Sequence, residues 1–141
     1  MESLLVIRGA GDLASGIALR IFRAGFRFLM TEIEQPLTVR KTVSFSEAIF
    51  KGSTIVEGVE AIKVSNTDEI DRIIKGKIPI IVDEDLKFIK RHLTNPSVII
   101  DARMEKGVIN RRNISSPFLI GIGPGFEVGK NCNVVIETNR G

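Results

Sequence analysis

The stretch Val6-Ile7-Arg8-Gly9-Ala10-Gly11-Asp12-Leu13-Ala14 decides the fold. Apolar residues come first, glycines follow, and a helical pattern then begins, which is the strand, loop and helix context of a dinucleotide-binding fingerprint. Gly9 would allow the tight turn, Gly11 would let a pyrophosphate approach the backbone, and Ala14 would let the helix pack closely on the sheet. The N–H groups at the start of this helix would face the phosphates. The sequence therefore predicts a nucleotide-binding loop over residues 9–14, with Ala10 and Leu13 inside it.

Two other interpretations of this loop stay open. A tight turn between a strand and a helix also occurs where nothing binds. Asp12 would repel a phosphate, although a carboxylate at the start of a helix is favourable. We expect Asp12 to cap the helix, and the alternative is that it binds a metal-nucleotide through Mg²⁺.

An acidic residue completes the fingerprint. Glu32 ends the next apolar run, about 20 residues after the glycines, where a carboxylate usually takes the ribose hydroxyls. Glu32 is therefore predicted to bind ribose and to disfavour a 2′-phosphate.

The rest of the chain indicates the fold class. Several apolar runs are continuous rather than alternating, as in strands buried on both faces of a parallel sheet. They cover residues 4–7, 26–30, 78–82, 98–100, 118–122 and 134–136. Helical patterns lie between the runs, one of them with Ser44 as the expected N-cap and Glu47 at N3. We predict an α/β fold: a Rossmann-like three-layer structure with a mostly parallel sheet and helices on both faces. Residues 53–64 predict a small hairpin or an inserted strand, and residues 1–141 are expected to form a single domain.

Polar residues beyond the second strand are further candidates for ligand contacts. Arg40 and Lys41 would bind phosphates or a carboxylate, and Thr42 and Ser44 would hydrogen-bond them. A solvated basic loop explains the same residues equally well.

Acidic residues also end two later strands. Asp83 is expected to cap the following helix. Asp101 and Arg103 lie side by side at a strand end, where they would orient a polar ligand. A second glycine cluster, Gly121, Gly123 and Gly125, predicts either close approach of a ligand or a bent loop.

The composition excludes several classes of protein. With one cysteine, Cys132, and one histidine, His92, the chain cannot form an internal disulfide or a four-ligand His/Cys zinc site, and we expect no metal site. Cys132 is expected in the core. The net charge is +3, and Trp and Tyr are absent, so a base-stacking nucleic-acid surface is not expected. No apolar run approaches the ~20 residues of a membrane span and no signal peptide is visible, so we expect a cytoplasmic protein.

Several longer motifs resemble those of the YqeB-type accessory proteins of selenium-dependent molybdenum hydroxylase systems. The matching blocks are residues 6–16, 23–26, 30–33, 39–48, 101–104, 121–126 and 137–141. The resemblance implies a Rossmann-like domain that acts near molybdenum-cofactor maturation, related in theme to the XdhC chaperones. It brings no catalytic residue. Because such proteins usually continue beyond the last block, we expect this chain to be the N-terminal part of a longer protein.

Three functional hypotheses follow. The first is an accessory protein that binds a nucleotide or dinucleotide, NAD or molybdopterin cytosine dinucleotide, and whose partner is a molybdenum hydroxylase or its maturation proteins. The second is an NAD-dependent oxidoreductase in which Asp101 or Arg103 positions a substrate. The third is a nucleotide-sensing regulatory module. A homo-oligomer formed through the C-terminal edge of the sheet is compatible with all three.

Overall fold

Strands and helices alternate along the chain. The computed structural model describes residues 4–37, 41–92, 96–103, 118–123, 126–129 and 132–136. The elements are β1 (Leu5–Arg8), α1 (Asp12–Arg23), β2 (Phe28–Glu32), a 3-10 helix (Lys41–Val43), α2 (Glu47–Lys51), β3 (Ser53–Val56), β4 (Val59–Lys63), α3 (Thr67–Ile73), β5 (Ile78–Val82), α4 (Lys87–His92), β6 (Val98–Asp101), β7 (Leu119–Ile122) and β8 (Val134–Ile136).

The strands form one eight-stranded sheet in the order β3-β4-β5-β2-β1-β6-β7-β8. Neighbouring strands are parallel except for the antiparallel pair β3 and β4. When this hairpin is set aside, β5-β2-β1-β6-β7-β8 follow the 3-2-1-4-5-6 order of a doubly wound dinucleotide-binding sheet. The predicted Rossmann-like fold is confirmed. The chain reverses its direction of travel across the sheet between β1 and β6, so a ligand crevice is expected outside the carboxyl ends of these strands.

Buried side chains form two clusters, one on each face of the sheet. Ile7 packs on one face with Ala14 of α1 and Ile49 of α2. Val6, which points the opposite way, packs with Ile70 of α3 and Ile89 of α4. Because both faces are covered, β1, β2, β5, β6 and β7 are mostly buried apolar runs, as the sequence predicted. The same prediction is wrong for residues 134–136, because β8 lies at the edge of the sheet and its side chains are partly exposed.

The predicted hairpin is the β3–β4 pair. Its turn residues, Glu57 and Gly58, have φ angles of 49° and 80°. Positive φ at both central residues is the geometry of a two-residue hairpin turn that matches the twist of the strands. The hairpin extends the sheet at the edge remote from β8, and it leaves the carboxyl ends of β1 and β6 open.

Three helices begin at capping residues, and two of these starts test a prediction. The Asn66 side chain accepts a hydrogen bond from the Glu69 amide at 2.9 Å and caps α3. The Asp83 carboxylate accepts from the amides of Phe88 and Ile89, each at 3.0 Å, and so caps α4 as expected. The prediction of Ser44 as the N-cap of α2 is wrong, because the N-cap is Ser46. The intervening residue, Phe45, is completely buried, and this burial fixes the segment before the helix begins.

No helix in the described ranges is long and apolar enough to cross a membrane.

Candidate functional site

Gly9 follows β1 directly, beside the backbone that leaves β6. Its φ is +108°, and a Cβ built on it would lie 3.1 Å from the carbonyl carbon and oxygen of Ala102 and 3.2 Å from the Cα of Arg103. L side chains rarely adopt this conformation, and the space is already occupied. The folded chain therefore requires glycine at position 9, whether or not a ligand binds.

Gly11 has a different environment. It is the N-cap of α1, with φ of −69° and ψ of −172°, a conformation open to any residue. A Cβ built on Gly11 would meet no atom within 4 Å. Neither backbone strain nor packing therefore requires a glycine at position 11. The missing side chain leaves open space beside the first turn of α1.

The start of α1 has no capping side chain. Asp12 is exposed and is the first helical residue, so the expectation that it is the cap is wrong: Gly11 occupies that position. The backbone N–H groups of this first turn carry the positive end of the helix dipole. An anion placed beside Gly11 would be attracted to them.

Glu32 fastens the loop to β2. Its Oε1 accepts a hydrogen bond from the Ala10 amide at 2.9 Å, and its Oε2 accepts one from its neighbour, the Ile33 amide, at 2.8 Å. Burial raises the pKa of this carboxyl above its ordinary value, and the two backbone hydrogen bonds offset part of that rise. Carboxylate oxygens have further lone pairs, so Glu32 can hold the loop and still accept from a ligand hydroxyl.

The pKa shift of Glu32 predicts a pH-dependent stability. Because the folded protein holds this proton more tightly than the unfolded chain, whose value is near 4.5, the free energy of unfolding falls as pH rises from about 4.5 through the raised pKa. Glu32→Gln removes this slope. It also costs about 1 kcal/mol at neutral pH, because its NH₂ group must face one of the two backbone N–H donors.

Urea unfolding of wild type and Glu32→Gln across pH 4–8 measures this difference. Glu57→Gln is the matched control, since the Glu57 side chain is 62% exposed and lies in the hairpin turn. Parallel pH curves for wild type and Glu32→Gln would contradict the assignment.

The carbonyl of Ala10 is also held. It accepts hydrogen bonds from the Ser46 amide at 2.9 Å and from the Ser15 hydroxyl at 3.2 Å. The same hydroxyl accepts from the Phe45 amide at 2.8 Å. Through these bonds the segment preceding α2 is attached to the glycine loop.

A cavity of about 440 Å³ opens at this edge of the sheet. This volume is in the usual range of small-molecule sites. The lining comes from the glycine loop with the start of α1, from the end of β2 and the turn after it, and from the chain beyond β6. The lining residues are Gly9, Ala10, Gly11, Asp12, Leu13, Ala14, Glu32, Ile33, Pro36, Leu37, Ala102 and Arg103. The cavity thus lies at the point where the strand order reverses.

Arg103 brings a positive charge to the cavity wall. Its Nε donates to Oδ1 of Asp101 at 2.8 Å, and its Nη2 donates to Oδ2 at 2.6 Å. The Asp101 side chain is completely buried, whereas that of Arg103 is 17% exposed. The buried Asp101 carboxylate therefore orients the guanidinium, and Arg103 is the member of the pair that borders the cavity.

The structure places two more of the predicted site residues away from the cavity. Thr42 is exposed and Ser44 is buried, and neither borders the cavity. Arg40 and Gly125 lie outside the described residues, as does the side chain of Lys41.

The second glycine cluster is explained by packing where the structure describes it. A Cβ on Gly121 would lie 2.2 Å from Cγ of Phe126, so the Phe126 ring occupies the space above this glycine. Gly123 has a φ of +90° and donates its amide to the Ile136 carbonyl at 3.0 Å. These two glycines fit the bent-loop interpretation of the cluster.

Sequence reasoning missed four lining residues: Ile33, Pro36, Leu37 and Ala102. Three of them lie within five residues after Glu32, the predicted ribose-binding acid. Their position there could have indicated that they line the same site. Arg8 was also missed. A charged residue at the end of an apolar run is unusual, and Arg8 is 5% exposed.

The chain is similar to a known protein over nearly its whole length. The protein described as "Uncharacterized protein YqeB" of Escherichia coli (strain K12) is 43% identical over 141 residues, which is 99% of this chain. The chain is YqeB-type. This match confirms the resemblance to YqeB, and the chain spans 26% of the length of that relative. No family model matches the chain, and no solved structure matches it.

Proposed function

We propose that this YqeB-type chain binds the phosphates of a nucleotide or dinucleotide in the cavity outside the carboxyl ends of β1 and β6. The observation that carries the proposal is Gly11, whose missing side chain leaves open space at the uncapped start of α1. Neither strain nor packing requires a glycine here, and a ligand that approaches the backbone would account for the open space. The amides of the first turn of α1 would hold the phosphate.

The other lining residues suit the rest of such a ligand. Glu32 would accept from ribose hydroxyls and would disfavour a 2′-phosphate, which favours NAD or molybdopterin cytosine dinucleotide over NADP. Leu13 and the residues after β2 provide apolar contact. Bound NAD would supply a hydride acceptor, whereas a molybdopterin dinucleotide would be cargo.

We further propose an accessory role in the maturation of a molybdenum hydroxylase. Among the residues that the structure describes, the titratable side chains that border the cavity are Asp12, Glu32 and Arg103. Asp12 is exposed at the rim, Glu32 holds two backbone amides and Arg103 is paired with Asp101, an arrangement suited to binding rather than to proton transfer. The partner that we propose is a molybdenum hydroxylase or its maturation proteins, which the sequence resemblance implies, and the location that we propose is the cytoplasm.

A thermal-shift series tests the binding proposal. The chain is heated with NAD, NADP, ATP, CTP, FAD or molybdopterin cytosine dinucleotide. A ligand at ~100 times its Kd stabilises the folded state by about 2.7 kcal/mol, which raises Tm by several degrees. Selective stabilisation by the molybdopterin dinucleotide supports the maturation role, and selective stabilisation by NAD supports the oxidoreductase hypothesis instead. If none of them changes Tm, the cavity is not a nucleotide site.

A further inference from the structure

The face of the sheet on which α1 and α2 pack stays partly open to solvent near β8. Val98 of β6 and Ile120 of β7 point to this face, where they are only partly buried against its core cluster. Val134 and Ile136 of β8 point the same way, because they are the register partners of Ile120 and of the buried Ile122. Val134 is 39% exposed and Ile136 is 48% exposed. We call Val98, Ile120, Val134 and Ile136 the β8-end surface.

Helix α1 borders the β8-end surface. Ile17 and Ile21 of this helix are also partly buried against the same cluster. The Ser15 side of α1 faces α2, which packs over β3, β4 and β5, because the Ser15 hydroxyl accepts a hydrogen bond from the Phe45 amide just before α2. With about 100° per residue, Ile17 and Ile21 lie about 160° and about 120° around the helix from Ser15, so they face β6. The two isoleucines and the β8-end surface therefore form the wall and the floor of one apolar groove.

Chain connections toward β8 run over the other face of the sheet. The strand order proceeds in one direction from β5 to β6, β7 and β8. Parallel strands are joined by right-handed connections, which stay on one face while that direction is kept. Helix α4, between β5 and β6, packs on this other face through Ile89, and Phe126 and Cys132, between β7 and β8, pack there as well. In the described ranges, the helical residues of the first cluster come from α1 and α2. The groove is therefore left for an element that these connections do not supply.

The groove fits a helix in size and chemistry. Its floor spans three strands, which is about 10 Å at a strand spacing of about 4.8 Å and matches the diameter of a helix. All six side chains that form the groove are valine or isoleucine, so a helix seated in it would present apolar residues three and four positions apart.

Two sources of such a helix differ in what they offer. A second copy of this chain is poorly suited, because the outward positions of α1, the longest helix in the described part, are Asp12, Gly16, Arg20 and Arg23. A longer protein of the same type is better suited, since most of the Escherichia coli relative lies outside the region that matches this chain.

We propose that the groove is an internal surface of a longer YqeB-type protein, covered by an amphipathic helix of the same polypeptide from outside residues 1–141. The two parts of the protein would then share one hydrophobic core rather than be joined only by a linker. This proposal does not depend on the nucleotide site, which lies outside the carboxyl ends of β1 and β6.

Photo-crosslinking identifies what covers the groove. The photoreactive residue p-benzoylphenylalanine replaces Ile136 in the full-length protein, and the peptides joined on irradiation are mapped by mass spectrometry. We expect a cross-link within one polypeptide, to a segment outside residues 1–141 that has apolar residues at helical spacing. The matched control carries the same photoreactive residue in place of Ile55, which is 63% exposed on the opposite edge strand, β3, and should not yield that segment.

Thiol labelling measures the coverage of the groove independently. Ile136→Cys and Ile55→Cys are made in the full-length protein and treated with N-ethylmaleimide, and the labelling of wild type is subtracted to remove the native cysteines. The two positions are 48% and 63% exposed in residues 1–141. Because a covering helix would protect only position 136, we expect Ile136→Cys to react at least about ten-fold more slowly than Ile55→Cys. Both variants should react alike after unfolding in urea.

Several results would overturn the proposal. A cross-link to a second copy, to another protein or to residues within 1–141 would show that something else covers the groove, and the absence of any cross-link would show that nothing does. Comparable labelling rates for Ile136→Cys and Ile55→Cys in the folded protein would also show that the groove is open. None of these results would change the nucleotide proposal, which the thermal-shift series tests separately.

Discussion

Gly11→Val is expected to weaken binding of the nucleotide ligand by at least about 100-fold, equivalent to about 2.7 kcal/mol, while the fold remains intact. The valine side chain would occupy the open space beside the first turn of α1, where the proposal places the phosphate. The backbone at position 11 suits any residue, and no neighbour lies within 4 Å of the new Cβ. We expect a stability cost of about 1 kcal/mol or less, because valine is a poorer N-cap than glycine.

The matched control is Gly16→Val in the same helix. Gly16 is exposed and its Cβ would also meet no atom within 4 Å, but it does not border the cavity. Titration with the ligand identified by thermal shift should show wild-type affinity for Gly16→Val and a loss for Gly11→Val. Equal affinities for the two variants would show that the phosphate does not bind at the start of α1.

Gly9→Ala is expected to destabilise the fold by about 2–4 kcal/mol. An alanine at a φ of +108° is strained, and its Cβ would press on the backbone of Ala102 and Arg103 at 3.1–3.2 Å. Strain at such a position and overpacking each cost about 1–3 kcal/mol. Since both contacts are with backbone atoms of the chain that leaves β6, relief requires the ends of β1 and β6 to separate at the point where the strand order reverses.

Urea unfolding of Gly9→Ala beside Gly11→Ala measures the contrast between two glycines that the sequence fingerprint treats alike. Gly11→Ala should unfold within about 1 kcal/mol of wild type. A Gly9→Ala protein as stable as Gly11→Ala would show that the close approach of β1 and β6 is not a constraint on the fold.

The fold was largely predictable because the deciding signals are local. Continuous apolar runs indicated strands buried on both faces, and Glu57-Gly58 lay between two short strand-like segments as a hairpin turn would. The error at α2 arose because Ser44 and Glu47 have the spacing of a capping box. Burial of Phe45 and its bond to Ser15 outweigh that local preference, and neither is visible in the local pattern.

The site was predictable to a smaller extent. The fingerprint identified the loop and Glu32, but it assigned the same importance to Gly9 and Gly11, whose reasons differ in the folded chain. Gly121 matched a ligand loop as well as it matched a bend, and only the position of the Phe126 ring distinguishes the two. Arg8 lies beside Asp101 in the sheet although the two residues are far apart in sequence, so no local pattern could indicate that they are neighbours.

The hydrogen bonds of Ala10 have a thermodynamic consequence. Its N–H donates to Glu32, and its carbonyl accepts from Ser15 and Ser46, so three separate parts of the chain fix the two peptide groups that flank this residue of the loop. Ordering a flexible residue costs about 1–2 kcal/mol of backbone entropy. That cost is met when the protein folds, and a ligand that enters an already rigid loop loses less of its binding energy to entropy. The glycines of this loop therefore provide access without conformational freedom.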